Sequence, residues 1–178
     1  MRVAWVAAAL AATACGGVRG GPVAPGVQRP GGRVAASLDF ELADARGGLP
    51  LRLSDSRGKA VIVHYFATWC APCEAEFQNL NHLAELHAAR SDLAILGIAV
   101  DLDGAKLLPM FLEVRGLNYP VALADERMLH GETPFGPLPG IPATFLIDAE
   151  GRYVEGFRGV VPFSHLQSRL QAVLPVPP

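Results

Sequence analysis

Apolar residues fall along the chain in two kinds of run. Residues 60–66 (Ala-Val-Ile-Val-His-Tyr-Phe) and 93–100 are near-continuous, the first interrupted only by His64. Runs of this kind fit strands covered by helices on both faces. Between them, Phe77, Leu80, Leu83, Ala84 and His87 recur at helical spacing, with Glu74, Glu76, Gln78 and Glu85 largely in between, so a helix is predicted over about 71–89. A second helix is predicted over 105–114, where Pro109 should kink it or shift its start. Strand, helix, strand, helix implies a parallel pair joined by a right-handed crossover. Upstream, short alternating runs at 37–42 and 49–53 flank a polar turn and predict a hairpin capping one sheet edge. Downstream, 143–148 and 152–157 make an antiparallel hairpin, and 162–174 a closing helix with Leu166, Leu170 and Val173 inward. No internal repeat is apparent.

Composition adds boundaries. The 178 residues leave room for one domain once a short N-terminal segment is set aside. Half the residues are apolar, the formal net charge is -2, and no basic cluster occurs, which excludes a disordered body and a nucleic-acid footprint. Glycine and proline concentrate at 16–32 and 134–142, a linker and a rigid loop. Arg2 and the apolar stretch 3–14 have the form of a secretory signal, too short to span a bilayer as a mature helix. The chain thus divides into a signal segment (1–14), a Gly/Pro-rich tether (15–36) and a domain (37–178). Ala12-Thr13-Ala14-Cys15 resembles a bacterial lipoprotein cleavage box, with Ala12 where leucine is usual. Lipidation of Cys15 accounts for the odd cysteine among three; ordinary cleavage after Ala14 is the alternative and leaves a free thiol.

The candidate chemistry is Trp69-Cys70-Ala71-Pro72-Cys73, directly after the first buried run and directly before the first helix. Unpaired N–H groups and the partial positive charge of a helix N-terminus stabilise a thiolate there, which makes Cys70 the candidate nucleophile. Cys73, one turn on, is near enough to close a disulfide or resolve a mixed one. Pro72 suits a first turn, where a missing N–H costs nothing. A zinc ribbon would need a second ligand pair, which three cysteines do not supply.

These residues, from Gly58-Lys59-Ala60 through Ala67-Thr68-Trp69-Cys70-Ala71-Pro72-Cys73, resemble the TlpA/ResA branch of the thioredoxin-like proteins. A second motif, Gly140-Ile141-Pro142-Ala143-Thr144-Phe145-Leu146-Ile147-Asp148, follows in the expected order, and the resemblance covers about 37–174. It implies an α/β thioredoxin-like fold: a central mixed sheet, helices on both faces and an added N-terminal hairpin. Residues 120–125 resemble the branch's extra short strand and 127–130 the helical turn after it; Gln78 stands where a helix-bending proline is usual. The redox-active disulfide Cys70–Cys73 is then the whole redox apparatus, with no further cofactor or metal. Ile141-Pro142 becomes a cis-proline loop whose Ile141 backbone pairs with substrate, and Trp69, Ala71 and Pro72 become contact surface. His64 occupies the place of a buried proton-relaying aspartate in cytoplasmic thioredoxins, and Glu76 matches a motif glutamate. A satisfied core histidine and a solvated helix carboxylate are the plain alternatives.

The implied activity is that of an exported protein-disulfide oxidoreductase of the bacterial cell envelope, reducing disulfides in exported proteins such as apocytochrome c. Its implied partners are disulfide-bearing proteins, a membrane thiol electron donor and, through a lipid anchor, the membrane itself. Related folds range from reductants to oxidants, at roughly -270 to -120 mV, so the direction is not written in the motif. A copper-binding module using both cysteines and His130 is the alternative, although such modules usually carry three residues between the cysteines. A thiol peroxidase fits less well, because the proline and threonine that precede a peroxidatic cysteine at fixed spacing do not occur here in that pattern. His82, His87, His130 and His165 are scattered without ligand spacing.

Overall fold

A strand can bury seven consecutive residues only with neighbours on both edges and cover on both faces, and Ala60–Phe66 has all four. The computed structural model describes residues 27–28 and 39–175. In chain order the elements are β1 (Val27–Gln28), β2 (Glu41–Leu42), β3 (Leu51–Arg52), a 3-10 turn (Leu53–Ser56) and β4 (Ala60–Phe66). There follow α1 (Cys73–His87), β5 (Leu93–Ala99), α2 (Gly104–Arg115), β6 (Val121–Leu123) and α3 (Glu126–Leu129). The last are β7 (Glu132–Thr133), β8 (Gly136–Pro137), β9 (Ala143–Ile147), β10 (Tyr153–Arg158) and α4 (Phe163–Gln171). The main sheet has the order β1-β10-β9-β4-β5-β6. β4 pairs in parallel with β5 and antiparallel with β9, and β5 pairs in parallel with β6.

Because β4, β5 and β6 step across the sheet in one direction, two right-handed crossovers place α1 and α2 on the same face. Leu80 and Leu83 of α1, Leu108 and Leu112 of α2, and Leu166 and Leu170 of α4 form one core there with Ile62 and Phe66. The other face is closed by α3 and the short hairpins, with Leu42, Leu53 and Met128 packed on Val61, Val63 and Tyr65. Helices therefore do cover both faces, but the three long ones share a side.

The N-terminal hairpin is shorter than its alternating pattern predicts, two residues per strand. It still caps a sheet edge: Ala45 N–H donates to Val121 O and Leu123 N–H to Ala43 O, which pairs the chain after β2 with β6. On the opposite edge Val27–Gln28 pairs with β10. These two residues lie within the stretch expected to be a tether, and their extended backbone meets the open backbone groups of β10. The rest of that stretch, residues 1–14 and Cys15 lie outside the described residues. Pro109 does not shift the start of α2, which opens at Gly104 and carries the proline inside. The stretch 132–140, which includes most of the expected rigid loop, contains the ribbon β7–β8. No helix among the described residues is long and apolar enough to cross a membrane.

Candidate active site

Three segments meet at the C-terminal end of β4. The first is the loop leaving that strand. Asp101, just after β5, accepts from Thr68 N–H at 3.0 Å and from the Thr68 hydroxyl at 2.6 Å, while Val100 N–H donates to Phe66 O. The approach to Cys70 is thus fastened to the neighbouring strand. Trp69 beside it is 71 % exposed, a surface residue and not core.

The second segment is the start of α1. Cys70 and Cys73 are disulfide-bonded, with Cα atoms 5.4 Å apart. Cys73 N–H donates to Cys70 O and Glu74 N–H to Ala71 O, so tight turns lead into the helix and Pro72 is its cap residue, one place before the first turn predicted for it. Cys70 retains slight exposure at 6 % and Cys73 has none, with Ala71 exposed between them. Only the first sulfur is within reach of a partner, as the assignment of nucleophile and resolving thiol requires.

The third segment is the loop before β9. Gly140 has φ +121°, a conformation other residues rarely adopt, and the Ile141–Pro142 bond is cis. Ile141 packs against the core that contains both cysteines, and Pro142 is buried. The loop is pinned by Gly159 N–H to Pro142 O and by Arg158 Nε to Pro139 O, both at 2.8 Å.

Beneath the cysteines lies a buried polar cluster. His64 and Thr144 are cross-strand partners, and His64 Nδ1 is 3.1 Å from Thr144 Oγ1 and 3.2 Å from Glu76 Oε2. Thr144 Oγ1 donates to Glu76 Oε2 at 3.4 Å, and Val161 N–H donates to Glu76 Oε1 at 2.9 Å. Glu76, for which a solvated helix carboxylate is the plain alternative to a site residue, is 1 % exposed. Glu74 does remain at the surface, paired with Arg115. Burial lifts the Glu76 carboxyl to about 7 against the pull of the Val161 and Thr144 bonds, and burial drops His64 to about 3. The close contact is therefore a hydrogen bond between a neutral imidazole and a carboxyl near its midpoint at neutral pH, not an ion pair. His64 Nε2 has no partner among the described residues; the ring stacks on Phe66 at 5.8 Å and meets Phe77 edge-on at 6.0 Å.

Sequence reasoning found both cysteines, the proline loop, His64 and Glu76, and the structure brings them together at one end of the sheet. It missed Thr144, although a polar residue inside a second buried run carries the same signal as His64. It also missed Asp101 and the Val161 amide, the latter a backbone group that no side-chain pattern announces. His130 Nδ1 is 2.7 Å from Glu126 O, and among the described residues no three His, Cys, Asp or Glu side chains converge as a metal would require.

A model of the AhpC/TSA family matches residues 34–154. The thiol-disulfide oxidoreductase ResA of Bacillus anthracis is 33% identical over 138 residues, 77% of this chain and 76% of that protein. ResA of Bacillus subtilis (strain 168) is 30% identical over 138 residues, 77% of this chain and 73% of that one. Among solved structures, a thiol:disulfide interchange protein of the thioredoxin family from Chlorobium tepidum TLS superposes with a TM-score of 0.69 at 27% identity, covering 78% of this chain and 95% of that one. A secreted thiol-disulfide isomerase from Corynebacterium glutamicum does so with a TM-score of 0.64 at 28% identity, covering 76% and 81%.

Proposed function

Since the chain belongs to the AhpC/TSA family and is a thioredoxin-like thiol–disulfide oxidoreductase, we propose that it acts outside the cytoplasm as a reductant of disulfides in exported proteins, apocytochrome c among them. Cys70 thiolate attacks one sulfur of the substrate disulfide, and the substrate's other sulfur leaves as a thiolate. Cys73, once deprotonated, attacks Cys70 Sγ, closes the intramolecular disulfide and releases the second substrate thiolate. Two electrons pass to the substrate, and a membrane thiol donor restores the dithiol.

The observation that carries this reading is the polar cluster one helical turn behind a fully buried thiol. Cys73 cannot ionise in an apolar core without a base, and Glu76, on the same helix face three residues on, holds its proton to about 7. His64, at about 3, is too weak a base to take the proton. Its part is to hold the Glu76 carboxyl with Thr144, a different role from the proton relay its position suggested. Trp69, Ala71, Pro72 and the Ile141 backbone frame Cys70 and contact the substrate. The signal-like start, the Cys15 box and the similarity to a secreted isomerase from Corynebacterium glutamicum support export; lipid on Cys15 would hold the domain at a membrane.

Expression of the full chain with Cys73→Ser tests the reading. Attack by Cys70 proceeds, resolution fails, and exported proteins with disulfides accumulate as mixed disulfides. Recovery of the variant without attached exported proteins overturns it. In the same cells Cys15→Ser moves the protein from the membrane to the soluble fraction; retention at the membrane removes the anchor.

A further inference from the structure

Two buried polar atoms in the core beneath the cysteines are used neither by the fold nor by the exchange chemistry. Among the described residues, the buried side-chain nitrogen and oxygen atoms without a hydrogen-bond partner are Asp92 Oδ2, His64 Nε2 and Tyr119 Oη. Asp92 Oδ2 has Arg90 at 2.6 Å, which leaves the imidazole and the phenol. Both residues are buried, and polar groups in a core are rarely left unpaired. Tyr119 reaches the cluster over Gly97. His64 and Gly97 are partners in the β4–β5 register, about 4.8 Å apart across the ladder. A Cβ on Gly97 would come within 3.2 Å of the Phe66 ring and 3.3 Å of the Tyr119 ring, so the glycine lets both rings down onto the sheet beside His64. Phe66 comes from the catalytic end, two residues after His64; Tyr119 comes from the opposite end, two residues before Val121, the partner of Gly97 on β6. Burial first, and then the Glu76 charge, push the Tyr119 phenol well above its usual range, so it keeps its proton and remains a donor. Around the pair, Cys73 and Glu76 are the titratable groups of α1, while α2 and α4 face this core with leucines. Arg46 is the cation on the outer side of Tyr119, its guanidinium donating to the Tyr119 and Leu117 carbonyls at 3.2 and 2.7 Å.

We propose that Tyr119 is a positioning residue for the resolution step: its hydroxyl, through one buried water, supplies the hydrogen-bond donor at His64 Nε2 and so holds the imidazole as the Nδ1–H tautomer. The tautomer of a histidine is set by the hydrogen bond that its second nitrogen makes. With the proton on Nδ1, that N–H faces Glu76 Oε2 at 3.2 Å and Thr144 Oγ1 at 3.1 Å, where it stabilises the carboxylate that takes the proton of Cys73. With the proton on Nε2 instead, Nδ1 turns a lone pair toward that carboxylate and opposes its ionisation. Tyr119 and His64 make no direct bond, and a bridging water fits both ends: it accepts from the Tyr119 hydroxyl and donates to Nε2. This rests on the assignment of Glu76 as the base for Cys73.

The tautomer can be read directly from the ring nitrogens by NMR of the oxidised full chain with nitrogen-15 histidine, the His64 resonances being those lost in His64→Asn. At neutral pH the wild type should carry the proton on Nδ1 and show a bare Nε2. In Tyr119→Phe, which keeps the ring and removes one oxygen, the Nε2–H form should appear. In the same variant the pH midpoint of mixed-disulfide resolution should rise by about half a unit, each rate being taken relative to first attack by Cys70. A wild-type imidazole protonated on Nε2 overturns the proposal without recourse to any variant. So does a Tyr119→Phe protein in which either readout stays put: an unmoved tautomer reduces Tyr119 to a packing residue, and an unmoved midpoint separates the tautomer from Glu76. Wild-type protein that shows the Nδ1–H form yet resolves no mixed disulfide strikes the function proposed above, and the positioning role falls with it.

Discussion

On one side of β4, Ile62, His64 and Phe66 face three long helices; on the other, Val61, Val63 and Tyr65 face hairpins and aromatic rings. The second side is sealed by Leu42, Leu53 and Met128 together with packed aromatic rings. Phe135, from the β7–β8 ribbon, stacks on Phe145 at 4.5 Å, and Tyr65 and Tyr153 close around the pair. Gly156 admits this packing, because a Cβ there would come within 2.8 Å of the Phe145 ring. The helix side buries an imidazole, a carboxyl and a hydroxyl beside the cysteines. Helices hold polar atoms in fixed positions, so α1 can deliver Glu76 to partners on β4 and β9; short hairpins fill space better with large rings. Both faces carry apolar core, but the buried polar cluster beside the cysteines lies on the helix face.

The largest effect that would sharpen this contrast is Phe145→Ala. Removing a buried ring costs about 3–5 kcal/mol in unfolding free energy. Single-turnover exchange on the far side should change by less than about threefold, because the ring's aromatic partners, Tyr65, Phe135 and Tyr153, belong to the face away from the cysteines. A large loss of exchange in folded Phe145→Ala would erase the distinction between the faces.

Glu76→Gln should act in the opposite sense. The native Glu76 carboxyl holds its proton to about 7, above its value of 4.5 in the unfolded chain. Its contribution is therefore complete below pH 4.5 and is lost as pH rises to 7, at a cost of roughly 3 kcal/mol. Glutamine escapes that loss, so denaturant titrations should find the variant more stable at pH 8 and equal to wild type at pH 4. Resolution of mixed disulfides should slow, and the alkylation pKa of Cys70 should fall by about one unit once the nearby negative charge is gone. Equal stability at both pH values would place Glu76 outside the buried cluster.

His64→Asn is the smallest perturbation. Loss of the Nδ1 contact removes support for the ionised carboxyl, so the pH midpoint of the resolution step should move upward by about one unit or less. The rate of first attack should not move. A resolution profile with no shift would make His64 a space-filling residue.

The strands and long helices were legible because each expresses one periodicity for most of its length. The seven-residue run at β4 specifies a doubly covered strand, and its single polar residue marks the centre of the site. The β7–β8 ribbon was hidden because proline and glycine, which read as loop, also permit two-residue strands. Glu76 was ambiguous for a different reason. It alternates in sequence with polar Glu74 and Gln78, although Cys73 and Leu80 share its helix face, and its hydrogen-bond partners, Thr144 and the Val161 amide, come from segments far along the chain. Cys70 and Cys73 needed no tertiary information, since adjacency in sequence already fixes their geometry.

The mixed pairing of β4 also sets an order of events during synthesis. Its parallel neighbour β5 follows after one helix, whereas β9, on the other edge, follows only after α2, β6, α3 and the β7–β8 ribbon. At about 5–20 residues per second, the unit from β4 to β6 emerges seconds ahead of β9. For that interval the nascent chain carries a bare edge along Val61 to Tyr65, uncharged and rich in β-branched side chains, the kind of edge on which chains aggregate. The same strand that later holds the site in place is, until β9 arrives, the segment most in need of shielding.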